Sequence, residues 1–181
     1  MTFIKVGGSS GHEAVFLAQK FPNLTLIVQD RPEIEEYFNN YVPEDLKSRI
    51  SFEEHDFFQP QNLKADLFFL KTILHDWPDK YCIKILRNLL PALKDGGRII
   101  ICDNVTLPRR YDEDGKSLVP KFVQRKQAGA DMTMFSVFNS KERTIDDWEK
   151  LLKQTDERLI FEKVTILPGA LWSVLVVKFD G

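Results

Sequence analysis

Lys5-Val6-Gly7-Gly8-Ser9-Ser10-Gly11-His12 is the stretch that decides the fold. It follows the short apolar run 2–6 and opens the amphipathic run 13–21. Strand, glycine turn and helix in that order present backbone N–H groups and the positive end of a helix to a nucleotide-like ligand. Glycine lets the backbone turn tightly and lets a ligand come close. The same arrangement also serves as a close packing corner with no ligand, and the material downstream discriminates between the two.

Downstream, strand-like and helix-like runs alternate, which predicts an α/β fold on a mostly parallel sheet. The expected strands are 2–6, 24–28, 50–53, 66–70, 98–102, 159–167 and 171–179. The last two, joined by Pro168-Gly169, should form an antiparallel hairpin at one sheet edge. Pro32 opens a helix to Phe38, with proline at its tolerated first-turn position. A long helix is expected over 79–94, with Ile83, Leu86, Leu90 and Leu93 as its buried stripe, a kink at Pro91 and a stop at Gly96-Gly97. The polar stretch 108–115, strongly charged over 109–114, reads as a mobile loop. The run 119–138, carrying Met132 and Met134, is helical, and Thr144 with Asp147 caps a helix over 145–154.

The 181 residues suit one domain with a full core, and 43% hydrophobic with 29% charged residues is an ordinary globular balance. A net charge of -2 offers no basic footprint for nucleic acid. No apolar run approaches the ~20 residues of a membrane span. Met1 leads into a strand without a charged and apolar leader, so the expected setting is cytoplasmic. Cys82 and Cys102 stand in apolar runs and read as buried thiols. These cysteines and His12, His55 and His75 lack metal-ligand spacing, so no metal is expected.

Ligands of open α/β sheets bind at the carboxyl ends of the strands. Here those ends carry Lys5, Asp30, Asp56, the stretch 71–75 and Asp103. Asp30 suits a ribose diol, since a carboxylate accepts two hydroxyl hydrogen bonds, and it suits equally an N-cap for the helix behind Pro32. Asp56 beside Phe57 joins an acceptor to an aromatic wall for a base, or is a loop acid next to a core ring. His75 stands at a strand-to-helix junction with Asp76 and Asp79 close by. An imidazole there either takes a proton from a phenol-like group or merely caps the helix. Asp103 and Glu142 are acids able to orient the ring, although Glu142 also reads as a surface acid paired with Arg143. Met132 and Met134 either line a pocket for a flat apolar molecule or fill the core.

Together these segments resemble the S-adenosylmethionine-dependent O-methyltransferases that modify small phenolic and polyketide metabolites in plants and fungi. Val6-Gly7-Gly8 through Gly11-His12 is similar to the family's cofactor glycine motif. Val28-Gln29-Asp30-Arg31-Pro32 is similar to its ribose-binding strand end, His55-Asp56-Phe57-Phe58 to its adenine-side motif, and Lys71 to a cofactor-contacting position. The most specific stretch is Ile73-Leu74-His75-Asp76-Trp77-Pro78-Asp79. The resemblance implies a Rossmann-like class I methyltransferase fold, a mostly parallel seven-stranded sheet with a C-terminal antiparallel hairpin. It implies S-adenosylmethionine held by Gly7, Gly8, Gly11, Asp30, Arg31, Asp56, Phe57 and Lys71. It makes His75 the general base, Asp103 and Glu142 its flanking acids, and Asp131, Met132 and Trp77 the acceptor side. The acceptor is then a small phenolic or enolic metabolite.

Two departures from the family pattern bear on function. The family usually has an aspartate at the position of Lys5 and a glycine at that of Ser9. An ammonium ~4 Å from a sulfonium costs about 4 kcal/mol at an effective dielectric near 20, unless Lys5 turns away or loses its proton. Family members also carry an N-terminal helical domain that makes the dimer and roofs the pocket. The expectation is a single catalytic domain over 1–181 without it, working as a homodimer or with a partner chain that supplies it. The departures leave two alternatives: acid/base catalysis of a cyclisation, elimination or pericyclic step by His75 and Lys5, or a non-catalytic partner subunit.

Overall fold

The computed structural model describes residues 1–107, 112–114, 117–166 and 172–180. Its strands are β1 (Thr2–Val6), β2 (Thr25–Asp30), β3 (Ile50–Glu54), β4 (Ala65–Lys71), β5 (Leu93–Asp103), β6 (Leu159–Thr165) and β7 (Ser173–Phe179). Its helices are α1 (His12–Lys20), α2 (Glu35–Tyr41), α3 (Asp79–Leu89), α4 (Lys121–Phe138) and α5 (Ile145–Thr155). Short 3-10 turns occupy Pro32–Ile34, Glu44–Leu46, Leu74–Asp76 and Leu90–Ala92.

The strands form one seven-stranded sheet in the order β3-β2-β1-β4-β5-β7-β6. The first five run parallel, and β7 then pairs antiparallel with both β5 and β6. This is the mostly parallel architecture with a closing antiparallel pair that the residue pattern predicts. Apolar strands are covered on both faces, as a parallel sheet requires. On one face Ile4, Phe68, Leu70, Leu86, Trp148 and Leu151 pack together, under α3 and α5. On the other, Ala14, Val15, Leu26, Phe38 and Leu46 pack under α1 and α2. The strand order reverses between β1 and β4, which opens a crevice at their carboxyl ends.

Several expected boundaries move. The helix expected over 79–94 ends at Leu89, and Pro91 belongs to a separate 3-10 turn rather than to a kink. Gly96-Gly97 does not stop a helix but lies within β5. Leu93 already pairs with Ala65, the register then shifts, and Arg98 pairs with Leu67. The intervening residues bulge out, with Gly96 at φ 71°. The buried stripe of α3 is Cys82, Ile85, Leu86 and Leu89, an i, i+3, i+4, i+7 set that keeps the expected Leu86, while Ile83 is half-buried and Leu90 and Leu93 lie beyond the helix. Asp30 does not cap the turn behind Pro32; Arg31 sits there and makes no side-chain cap. Thr144 and Asp147 form a reciprocal capping box at the head of α5. α4 buries only Met134 and leaves Met132, Phe135 and Val137 exposed. Pro168-Gly169 and residues 109–111 of the charged stretch lie outside the described residues. Cys82 and Cys102 are buried and unbridged. No described helix is long and apolar enough to cross a membrane. No cluster of metal-ligating side chains occurs among the described residues.

Two glycine substitutions separate packing from backbone entropy. A Cβ on Gly8 would lie 2.5 Å from Val28 Cγ1 and 2.9 Å from Lys5 Cγ, whereas one on Gly129 in α4 would meet nothing within 4 Å. Gly8→Ala is therefore expected to destabilise the fold by about 1–3 kcal/mol. Gly129→Ala should stabilise it by about 0.5–1 kcal/mol. Urea unfolding of the two variants measures both signs.

Candidate active site

The crevice gathers the polar strand ends. After β1, Gly7 (φ 60°), Ser9 (φ 50°) and Gly11 (φ 85°) take left-handed backbone, the region that suits glycine. Ser9 accepts that conformation while its N–H donates to Asp30 Oδ2 at 2.7 Å. Asp30 Oδ1 accepts the Arg31 N–H at 2.8 Å. Each carboxylate oxygen keeps a further lone pair, so Asp30 ends β2 oriented and still able to accept hydroxyls. The His55 N–H donates to Asp30 O at 2.9 Å and ties residues 55–58 to the same edge. Asp56 Oδ1 accepts the Phe58 N–H at 2.9 Å, and its side chain is exposed. The Phe57 ring borders the glycine turn: a Cβ on Gly7 would come 3.9 Å from Phe57 Cε1 and 2.5 Å from Ile73 Cδ1. The left-handed φ is what favours glycine at Gly7, and the Ile73 side chain fills the space beside it.

Lys5 is 2% exposed, and its Nζ donates to Val6 O and Gly7 O, both at 3.2 Å. Burial pushes the amine down to about 8, Lys71 adds to the effect, and Glu13, Asp30 and Asp103 oppose it. The like-charge cost expected from Lys5 is reduced in two ways. The amine turns onto its own backbone carbonyls, and it sheds its proton near pH 8. Lys71 Nζ binds Glu13 Oε1 at 2.5 Å, and the same oxygen meets His12 Nε2 at 2.9 Å. Although burial opposes it, the Lys71 hydrogen bond with the Lys5 and His12 charges holds Glu13 below the usual carboxylate range. Glu13, unmarked by any sequence motif, is the carboxylate that balances the cations at the head of α1.

His75 lies in the Leu74–Asp76 turn and is 8% exposed. Its Nδ1 is 3.5 Å from Glu142 Oε1, and its Nε2 is 3.4 Å from Asp76 Oδ1. Trp172 meets the ring edge-on at 6.0 Å. Burial drives the imidazole pKa down, but the Glu142 contact and the fields of Asp103 and Asp76 prevail, so it holds its proton more firmly than a free histidine. Asp103 is fully buried at the end of β5, and neither carboxyl oxygen has a hydrogen-bond partner among the described residues. Burial pushes it up to about 7. Of the two acids expected beside the ring, Glu142 reaches it, Asp103 acts through its field, and Asp76 faces the other nitrogen.

Glu142 and Arg143 are not a surface pair, because both are buried and face different partners. The Glu142 N–H donates to Asp131 Oδ1 at 2.9 Å, which commits one oxygen of Asp131 to the backbone. The Arg143 Nε and Nη2 donate to Asp79 Oδ1 at 2.9 and 2.7 Å, Nη1 to Leu74 O at 3.0 Å, and Nη2 also to Trp77 O at 2.8 Å. Trp77 packs edge-on against Phe57, Phe58 and Tyr81, and Met132 is exposed on α4. A cavity of about 480 Å³ borders Asp131 and Glu142, with Thr106, Leu107, Val119 and Gln124 in its wall.

Lys5 links this site to stability. Its pKa is about 8 when folded against 10.5 as a free side chain. Between those values the unfolded chain binds more protons, so stability rises with pH; below about 8 the fold carries a buried ammonium. Lys5→Met should stabilise the protein at pH 7 by about 1–3 kcal/mol, with the gain shrinking as pH rises from 8 to 10.5. Denaturant unfolding at pH 7 and at pH 9.5 (roughly mid-window) compares the two proteins.

Residues 1–156 match the family model of the O-methyltransferase domain. The O-methyltransferase of the grayanic acid biosynthesis cluster from Cladonia grayi is 40% identical over 176 residues, 96% of this chain and 38% of that protein. The 6-hydroxytryprostatin B O-methyltransferase of Neosartorya fischeri is 40% identical over 174 residues, 96% of this chain and 40% of that protein. The chain thus spans about two fifths of the length of these relatives. Among solved structures, LepI in complex with SAM aligns with a TM-score of 0.81 at 29% identity, over 98% of this chain and 42% of that one. Mitomycin 7-O-methyltransferase MmcR aligns with a TM-score of 0.81 at 22% identity, over 98% and 48%, a likeness of fold. A family model matched across most of the chain, with relatives at this identity, leads to one conclusion: the chain belongs to the O-methyltransferase family.

Proposed function

We propose that this chain is the catalytic domain of an S-adenosylmethionine-dependent O-methyltransferase of a small phenolic or enolic secondary metabolite, with His75 as general base. The observation that carries the reading is the ring of His75 set between Glu142 at Nδ1 and Asp76 at Nε2. The crevice fits a sulfur nucleoside. Its glycine turn takes left-handed backbone at Gly7 and Gly11, Asp30 keeps free acceptor capacity, and Phe57 borders the turn. Gly7, Gly8, Gly11, Asp30, Arg31, Asp56 and Phe57 would hold the cofactor, with Lys71 acting through Glu13. S-adenosylmethionine, when bound, supplies an electrophilic methyl group.

The chain's own task is proton removal and positioning. In the tautomer that gives its Nδ1 hydrogen to Glu142, the Nε2 lone pair is the base. Nε2 takes the acceptor's hydroxyl proton, and Asp76 lies in place to accept from the resulting N–H. The cavity beside Asp131 and Glu142 offers room for a small-molecule acceptor. Exposed apolar side chains along α4, among them Phe122, Met132 and Phe135, support an assembled form, as a homodimer or with a second chain.

Calorimetry with S-adenosylhomocysteine tests the seat: binding at micromolar concentration is expected, and none at millimolar concentration rejects methylation. His75→Gln should bind the same ligand equally well while methyl transfer to a panel of small phenols falls by about 10²–10⁴-fold. Because the neutral ring is the base and its pKa is raised, the wild-type rate should climb with pH through a midpoint above 6.5. Glu142→Gln should move that midpoint down.

A second reading keeps the seat but not the transfer. The buried amine of Lys5 at the glycine turn favours it, as does a solved structure described as a pericyclic reaction enzyme, with a TM-score of 0.81 at 29% identity. Cofactor binding and His75-dependent conversion of a metabolite, without label transfer from methyl-labelled cofactor, is the result that selects it.

A further inference from the structure

We infer that Arg143 is the positioning residue of the His75 base: its guanidinium clamps the two carbonyls that bracket the histidine, while the neighbouring Glu142 holds the ring. The inference rests on the reading of His75 as base. It starts from the burial of the charge. The Arg143 side chain has no exposed surface, whereas its carboxylate partner Asp79 is 42% exposed. A buried ion pair is poor evidence for stability, since well-packed apolar residues often serve as well. What the guanidinium holds is therefore the informative feature.

It holds the Leu74–Asp76 turn. Leu74 O and Trp77 O lie on either side of His75-Asp76, and the planar fork reaches both. Cys82 Sγ lies 3.1 Å from each of the same two carbonyls and donates its single hydrogen to one of them, and burial pushes its thiol up to about 12, so it stays a neutral donor. The segment that carries the fork is itself fixed on three sides. Asp131 of α4 accepts the Glu142 N–H. Arg143 forms a bridge with Val105, and its carbonyl accepts the Thr106 N–H at 2.9 Å. Thr144 begins the capping box of α5. Adjacent residues 142 and 143 thus hold the histidine by its ring and by the Leu74 and Trp77 carbonyls on either side of it. A lysine keeps the charge but has no planar fork to span two carbonyls and a carboxylate.

Among the described residues, the charged groups that act on His75 are Asp76 from its own turn, Asp103 from the end of β5, and Glu142 from the segment ahead of α5, while Arg143 in turn acts on Asp103. The test is an NMR titration of the His75 ring in the full chain, without acceptor or cofactor. There are three histidines, and His75→Gln assigns the signal. In Arg143→Lys the charge remains, so a purely electrostatic role predicts no movement. A positioning role predicts that the Glu142 contact loosens and the midpoint falls by about 0.5 pH unit or more. Asp79→Glu, which keeps the charge but displaces the carboxylate from the fork, should move it the same way by less. A folded Arg143→Lys protein whose midpoint stays within about 0.1 pH unit of wild type overturns the inference. Should Arg143→Lys fail to fold, Asp79→Glu decides: with the charge kept, a fall in the midpoint supports the inference and an unchanged midpoint overturns it. The titration involves no methyl transfer, so its outcome is independent of whether the methylation reading survives.

Discussion

Parallel pairing of β1 with both β2 and β4 is the constraint on which the site depends. Parallel neighbours need long crossovers, and the crossovers return the chain over the faces of the sheet. The carboxyl ends of the strands are then forced to one edge. Lys5 pairs with Val28 and with Phe69, and Lys71 with Cys102, so the residues that follow each strand meet although they are far apart in the chain. The reversal of strand order at β1 and β4 keeps that edge open instead of covering it. Both apolar layers serve this end. They hold the sheet together so that its rim can carry groups that do not contribute to the core.

Those rim groups are buried ionisable side chains, and each is accommodated differently. Lys5 bonds to two carbonyls of its own turn and sits poised near pH 8. Asp103 has no side-chain hydrogen-bond partner among the described residues, and burial pushes it up to about 7. Arg143 cannot lose its proton, so it is satisfied by Asp79 and two carbonyls. Glu142 leans on His75. Fully satisfied groups rigidify a site, while groups poised near neutrality can exchange a proton with a ligand. The two kinds stand side by side here, a fixed fork next to a titrating ring.

The residues themselves were an uneven guide. The strand runs were readable because β-branched and aromatic clusters between turn residues have few other uses. The capping box of α5 was readable for the same kind of local reason, two side chains that satisfy each other across three residues. The end of α3 was not. Gly96-Gly97 has the composition of a helix stop, yet Leu93 joins the sheet through a bulge, because the ladder to β4 captures the chain earlier than local propensity suggests. The glycine turn and the stretch around His75 and Asp76 stood out as motifs, whereas Glu13 did not and Arg143 read only as a partner for Glu142. A carboxylate at the head of a helix and an arginine beside a glutamate are both commonplace in sequence.

By itself, then, the sequence determined the α/β class, the strand-turn-helix at the head of the chain and the candidacy of His75, since periodicity and turn chemistry are local properties that short stretches can express. Tertiary structure alone decided which charges are buried and whom they face. Glu142 and Arg143 are neighbours that look like a surface pair, and packing sends one to the imidazole and the other to the carbonyls beneath it. Burial and partner choice depend on segments that are distant in sequence and meet only when the sheet closes its faces, so no local reading of the chain contains them.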